Sequence, residues 1–265
     1  MVTTRNRTRT ILTLAAVGMA ILGLTTTAAN AAETELVSAL TALKDHIEGI
    51  TPLDASQIEA HKLTIDSNSE IFGDNDTIIT ACFDLVETYD DVIGPLWIAR
   101  GQFDRRTVVN DIDWTMYNVM QYIMDWTYTE ENISRYEDLL NGFKFESSDG
   151  FPGAVNPPVD PDQTHTVTIN GSYLKTFGHI VMHADRPARK PTGTYLAPGS
   201  IATITVPSSM VEKGYQVRVG AHSWDFSNRP WVRRLDRSSL VYSINTVRRG
   251  RGEVKVASPV GGEFI

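Results

Sequence analysis

In the first half of the chain, between residues 33 and 142, hydrophobic residues recur every three or four positions. This spacing is the period of one face of an α-helix. The clearest stripes are formed by Leu36, Leu40, Leu43 and Ile47, and by Ile78, Ile79, Cys82, Phe83, Leu85 and Val86. Asp54 followed by Gln57 has the spacing of a capping box that begins a helix. The pattern predicts an α-helical domain over residues 32–145 whose apolar stripes pack as a bundle core rather than line a ligand pocket.

Two further helices are predicted from breakers and caps in the same region. Asp104 or Thr107 is expected to cap a long helix that continues through Trp126, because an aromatic and methionine-rich stripe follows them. Thr129 is expected to begin the last helix, and Gly142 suits the position just past its end.

From His165 onward the period changes to two, which is the period of a half-buried strand. The alternating residues are Val167 and Ile169; Tyr215, Val217 and Val219; Leu240, Tyr242 and Ile244; and Val254 and Val256. A proline- and glycine-rich linker over residues 146–164 separates the two periods. The chain is therefore predicted to be α+β in two segregated parts, an N-terminal α-helical bundle and an antiparallel β-sandwich-like domain over residues 165–265.

The stretch Thr192–Pro207 is predicted to form a hairpin. Pro198 and Gly199 suit the two central positions of a type II turn, since proline presets φ and glycine accepts the positive φ that follows. Tyr195 and Leu196 precede the turn, and the alternating run Ile201–Val206 follows it.

The start of the chain is typical of a secretory signal peptide over residues 1–31. Arg5, Arg7 and Arg9 precede a short apolar run, and small residues lead to an expected cleavage after Ala31. An uncleaved membrane anchor is the competing interpretation, but the run is short of the ~20 apolar residues that a span requires. The mature protein is expected to be secreted or held at the cell surface, without a transmembrane span.

Charge and cysteine content exclude some partners. Removing the three signal arginines changes the formal net charge from -8 to -11, which argues against a nucleic-acid partner. Basic residues cluster at 186–190 and 229–251, where a solvated sheet face is predicted in preference to an anionic ligand. Cys82 is the single cysteine and is predicted to pack in a helix core rather than react.

Some residues have the types, but not the pattern, of a catalytic or metal site. His179 and His183 have the spacing of a zinc-binding helix, yet Ile180 stands where H-E-x-x-H requires glutamate. His222 is a further possible metal ligand that the sequence cannot place beside them. The acidic residues of the helical half are predicted to be solvated; they are Asp90, Asp91, Asp111, Asp113, Glu130 and Glu131.

The densest aromatic and polar cluster of the second half lies between two predicted strands. It contains Trp224, Phe226, Asn228, Arg229 and Trp231. Aromatic faces flanked by amide and guanidinium donors suit sugar rings, so Trp224, Asn228, Arg229 and Trp231 are the predicted ligand-binding residues. The alternative is a loop folded over the sheet edge with its tryptophans in the core.

The segments TGTYLAPGSIATITVP, YQVRVGAHSW, RRL and ASPVGG, in this order, resemble enhancin-like (M-sixty) zinc metallopeptidases. The resemblance covers roughly Pro191 to Ile265 and corresponds to a non-catalytic N-terminal region, with Glu263 departing from the apolar residue that the family pattern has there. It implies a secreted enzyme that cleaves glycosylated proteins such as mucins, with zinc bound by an H-E-x-x-H helix after the G-G strand. The sequence ends at Ile265 without that motif, so no catalytic residue, metal ligand or cofactor is carried over.

Two functional hypotheses follow. The first is the N-terminal portion of an enhancin-like zinc metallopeptidase, shortened by fragmentation or frame disruption and inactive on its own. The second is a stand-alone secreted glycan-binding or surface-adhesion module. Both take glycoproteins or glycans as partners. The third possibility is a purely structural remnant with no ligand.

Overall fold

A computed structural model of the protein describes residues 30–73, 75–96, 112–150, 152–170, 189–220, 240–243, 247–248 and 251–265. Its α-helices are α1 (30–47), α2 (Ala55–Ser67), α3 (Asp76–Val92), α4 (Asp113–Thr127) and α5 (Glu137–Leu140). Single 3₁₀ turns cover Ser69–Ile71, Glu146–Asp149 and Ser208–Met210. The α-helices that the structure describes lie in the first part and the antiparallel strands in the second, which confirms the predicted α+β class with segregated parts.

The predicted apolar stripes are the core of the helical part. Leu36, Leu40 and Leu43 of α1 are fully buried, and so are the stripe residues of α3. The capping box of α2 is confirmed, since the Asp54 carboxylate accepts from the amide of Gln57 and the Gln57 side chain accepts from the amide of Asp54, both at 2.9 Å. Repeating apolar positions over several turns thus identified buried faces reliably.

The predicted starts of the last two helices were wrong, whereas Gly142 does follow the C-cap Asn141 of α5, with a φ of 89°. The helix α4 begins at Asp113 after an Ile112 cap without a side-chain hydrogen bond, so neither Asp104 nor Thr107, which lie outside the described residues, caps it. Thr129 does accept from the amide of Asn132 at 3.3 Å, but residues 129–136 form successive turns. Isolated cap residues are weak signals because packing decides where a helix begins.

Seven strands lie within the described residues of the second part. They are β1 (Tyr195–Leu196), β2 (Ile201–Val206), β3 (Gln216–Val219), β4 (Leu240–Ser243), β5 (Val247–Arg248), β6 (Arg251–Ala257) and β7 (Gly262–Glu263). One antiparallel sheet has the order β2-β6-β5. In the other, β1 pairs with β7 and β3 with β4, and a bridge between Val219 and Phe264 joins the two pairs.

A bent two-stranded ribbon connects the sheets. Leu196 faces Gly262 and Ile201 faces Ala257, so four residues intervene on each side, 197–200 and 258–261. The chain therefore passes from one sheet to the other twice at the same place, without a change of register. We call residues 197–200 and 258–261 the ribbon corner.

The hairpin prediction for Thr192–Pro207 was wrong in its pairing. The turn exists, with Gly199 at φ 73° and the Ser200 amide donating to the Ala197 carbonyl at 3.1 Å. The strands on either side, however, pair with β7 and β6 rather than with each other. Turn chemistry specifies a change of direction, whereas the pairing of β2 also depends on a strand whose facing residues are 46 to 56 positions away in the chain.

The strand predicted from Val167 and Ile169 was also wrong. No strand is assigned within residues 163–170, where both side chains are substantially exposed. Alternation alone does not provide the neighbouring strand and buried face that a strand needs. The linker and domain boundaries proposed around residues 146–164 stay predictions.

The helical and β parts pack against each other at the ribbon corner. The Gly142 amide donates to the Gly199 carbonyl at 2.8 Å, and the Phe145 amide donates to the Pro259 carbonyl at 3.0 Å. Glu137 of α5 forms an ion pair with Lys255 of β6. Buried residues of both parts, among them Phe143 and Val256, belong to one contiguous hydrophobic cluster.

Candidate functional site

The predicted ligand-binding residues Trp224, Asn228, Arg229 and Trp231 lie outside the described residues, as do His179, His183 and His222. The structure therefore places none of them. It does describe the two strands that hold the segment of residues 221–239.

Both ends of that segment are fixed in the sheet. Val219 at the end of β3 faces Leu240 at the start of β4, so the chain leaves and re-enters the sheet at adjacent positions. The next residue, Gly220, donates its amide to the Glu263 carbonyl at 2.9 Å. Glu263 in turn faces Tyr195. Gly220, the last described residue before the predicted ligand-binding segment, thus lies next to β7, the strand that pairs with β1.

The alternation of the strands gives this sheet a buried face and an outward face. Leu196, Val217 and Val219 are buried. The residues between them point the other way because side chains alternate along a strand. We call Tyr195, Gln216, Arg218 and Glu263 the outward face; Tyr195 is 40% exposed.

The chemistry of the outward face combines an aromatic ring, a cation and a carboxylate. Partial burial raises the pKa of Tyr195, so its phenol is a neutral donor and acceptor at physiological pH. Desolvation, with the positive charge of Arg189 second, lowers the pKa of Arg218, which remains protonated. Such a surface can stack a sugar ring and donate hydrogen bonds to its oxygens.

Two carboxylates of the helical part are not solvated surface groups as predicted. Asp113 is only 8% exposed and accepts a hydrogen bond from the Tyr89 hydroxyl at 2.7 Å. Asp90 accepts from the Glu146 amide at 3.0 Å, and desolvation raises its pKa to about 6. The prediction failed because Asp90 of α3 and Asp113 of α4 accept hydrogen bonds from neighbouring segments instead of facing solvent.

Among the residues that the structure describes, no group of three histidine, cysteine or acidic side chains is arranged to hold a metal ion. Cys82 is fully buried, and its burial raises the pKa of the thiol. The predicted packing role of Cys82 is therefore confirmed.

Comparison with known proteins identifies the β part. Residues 160–264 match the family model described as the N-terminal domain of M60-like peptidases. Residues 160–264 are therefore similar to this N-terminal domain, and we call them the M60-like domain. No curated protein and no solved structure matches the chain. The M60-like domain contains the ribbon corner, the outward face and the whole segment of residues 221–239.

Within the described ranges, no helix is long and apolar enough to cross a membrane. The signal peptide predicted over residues 1–31 lies almost entirely outside these ranges, and its cleavage after Ala31 stays a prediction.

Sequence reasoning missed Tyr195 and Arg218 as functional candidates. Their signal was present in the alternation of β1 and β3, which assigns both residues to the polar face of their strands. What the sequence did not contain was the pairing of β7 between these strands. That pairing places Tyr195, Glu263 and Arg218 on one surface of the M60-like domain.

Proposed function

We propose that the chain is the N-terminal part of a secreted, enhancin-like zinc metallopeptidase that acts on glycosylated proteins such as mucins. The observation that carries this proposal is the match of residues 160–264 to the N-terminal domain of M60-like peptidases. In such an enzyme the M60-like domain would support a catalytic domain and help to present the glycosylated substrate.

The strands that flank the predicted glycan-binding residues in the sequence support the presenting role. Trp224 and Trp231 belong to the segment of residues 221–239, and β3 and β4, which precede and follow it, pair with each other at Val219 and Leu240. Sites on a segment anchored by a rigid sheet are a common way to combine adaptability with defined placement.

The proposal includes export through the signal sequence of residues 1–31 and a zinc ion in the complete enzyme. Zinc would be held by an H-E-x-x-H helix, a motif that is not in this sequence. No step of catalysis is therefore assigned to any residue of this chain.

A binding experiment tests the presenting role. The full chain should bind immobilised mucin, and enzymatic removal of the glycans should abolish the binding. Trp224→Ala and Trp231→Ala should each weaken it by roughly tenfold or more, as expected for stacked aromatic anchors. Tyr215→Ala is the matched control, because Tyr215 is a partly exposed aromatic residue outside the outward face. Equal binding by all three variants would refute the proposed site.

The second candidate function is a stand-alone glycan-binding or adhesion module. The outward face and the anchored segment favour it, because neither requires a catalytic domain. The reading frame beyond the last codon distinguishes the candidates: an H-E-x-x-H motif there supports the peptidase. Chelator-sensitive peptide hydrolysis by the purified 265-residue chain would contradict the expectation that this portion is inactive on its own.

A further inference from the structure

Arg218 is the most unusual charged residue of the outward face. It lies in β3 opposite Ile265, with which it exchanges two backbone hydrogen bonds of 2.9 and 3.0 Å. Its side chain is only partly buried, yet its Nη1 atom is shielded from solvent and has no hydrogen-bond partner. A shielded donor without an acceptor costs free energy, particularly on a charged group.

The carboxylates around Arg218 do not neutralise it. Glu263 is the diagonal cross-strand neighbour of Arg218 on the same face, since it precedes Ile265 by two residues. Nevertheless, no ion pair joins the Arg218 guanidinium to Glu263 or to any other acid in the part of the chain that the structure describes. A surface arginine paired with a neighbouring acid would need no further explanation; this one is unpaired.

A second cation is close enough to act on the first. Desolvation lowers the pKa of the Arg218 guanidinium, and the positive charge of Arg189 lowers it further. Two like charges near each other, one with a shielded and unsatisfied donor, are stabilised by an anion that contacts both. The planar guanidinium offers paired donors that match the oxygens of a carboxylate or a sulfate.

We propose that Arg218, assisted by Arg189, forms an anion subsite on the outward face that takes the carboxylate or sulfate group of an acidic sugar. Tyr195 lies two strands from Arg218, about 10 Å away at ordinary strand spacing. Its ring can therefore contact the body of a sugar chain whose acidic group reaches Arg218. The proposal rests on the proposed function and narrows its glycan ligands to those that carry an acidic group.

The test compares acidic and neutralised forms of one glycoprotein. The full chain is measured against mucin as isolated, mucin treated with sialidase, and mucin treated with sulfatase. The arm in which binding falls by tenfold or more identifies the carboxylate or the sulfate as the ligand group. Arg218→Gln should lose about tenfold to hundredfold in affinity for untreated mucin, and Arg189→Gln should lose less.

The controls separate the effect of the paired guanidinium donors on binding from the effects of net charge and of folding. Lys213→Gln removes the same charge from an exposed position off the outward face and should bind like the parent chain. Arg218→Lys keeps the charge but loses the paired donors of the planar guanidinium, so it should bind more weakly than the parent chain. Each variant is compared by circular dichroism melting, and Arg218→Met, which keeps the packing of the stem, replaces any variant that unfolds.

The outcomes distinguish this inference from the proposed function. If the parent chain binds untreated and doubly treated mucin equally, or if Arg218→Gln binds like Lys213→Gln, the anion subsite is wrong while glycoprotein binding stands. If no mucin binds, the proposed presenting role fails, and the subsite is tested by titrating N-acetylneuraminate and inorganic sulfate while recording the Arg218 Nε–H NMR signal. A saturable shift supports the subsite, and an unchanged signal overturns it.

Discussion

The Gly142 amide donates to the Gly199 carbonyl at 2.8 Å, which joins the end of α5 directly to the ribbon corner. The corner is therefore both the place where the chain changes sheets and the place where the M60-like domain contacts the helical part. Gly199 approaches so closely that an added Cβ would lie 2.9 Å from the Phe143 carbonyl oxygen. This contact leads to a stability prediction that separates local backbone strain from packing between the two parts.

Gly199→Ala should destabilise the protein by about 2–4 kcal/mol. Part of the loss, about 1–2 kcal/mol, comes from placing alanine at φ 73°, and the rest from the collision with the backbone of Phe143. The free energy of unfolding is measured by urea denaturation with circular dichroism.

Gly193→Ala is the matched control. Gly193 has the same φ of 73°, but nothing lies within 4 Å of the position its Cβ would occupy. Its loss should be limited to the conformational cost of about 1–2 kcal/mol. Equal losses for the two variants would show that the contact between Gly199 and Phe143 contributes nothing.

The ion pair between Lys255 and Glu137 should contribute much less than the backbone contacts beside it. Both side chains are partly exposed, at 30% and 47%, and exposed pairs typically contribute 0–1 kcal/mol. A double-mutant cycle with Lys255→Met and Glu137→Gln should give a coupling free energy below about 1 kcal/mol. The coupling should shrink further in 1 M salt, and a larger coupling that salt leaves unchanged would contradict this view.

The sequence predicted the apolar helix faces and the turn well, but it predicted the pairing of the strands poorly. The α1 and α3 stripes and the Asp54 capping box were correct because they depend on residues within a few positions of each other. The hairpin around Gly199 was wrong because β2 pairs with β6, whose position no local pattern specifies. Period and turn chemistry are local properties, whereas sheet order is not.

The same limit applies to the candidate site. The residue types at Trp224 and Trp231 predict sugar contact. Both residues lie within residues 160–264, which match the family model. Arg218 and Tyr195 were not selected, since each is a single polar residue in an alternating strand. They become a candidate site only when β7 pairs between their strands.

The buried hydrogen bond between Tyr89 and Asp113 should be a major polar contribution to the helical core. The Tyr89 hydroxyl lies 2.7 Å from the Asp113 carboxylate, and burial raises the pKa of Tyr89. Tyr89→Phe should lower the free energy of unfolding by about 1.5–3 kcal/mol, the range for hydrogen bonds to charged groups. Tyr215→Phe, at a partly exposed hydroxyl, should change it by less than about 0.5 kcal/mol. A loss at Tyr89 no greater than at Tyr215 would mean that the buried bond is energetically neutral.

Asp90 should make the helical part less stable as the pH rises through mild acidity. Its pKa is raised from 3.8 to about 6, first by desolvation and then by the charges of Glu146 and Asp91, against the opposing effects of the Glu146 amide and Lys144. Because the folded state holds this proton more tightly than the unfolded state, the contribution is present below pH 4, falls between pH 4 and 6, and is lost above pH 6.

Asp90→Asn tests this pH dependence by removing the charge while keeping an oxygen that can accept from the Glu146 amide. The raised pKa corresponds to at most about 3 kcal/mol, which partial solvent exposure reduces to about 1–2 kcal/mol. The variant should therefore match the parent chain near pH 4 and exceed its free energy of unfolding by about 1–2 kcal/mol at pH 7. Asp91→Asn removes the same charge from the adjacent exposed residue and should not reproduce this gain. A stability difference between Asp90→Asn and the parent chain that stays constant from pH 4 to 7 would show that Asp90 does not titrate in this range.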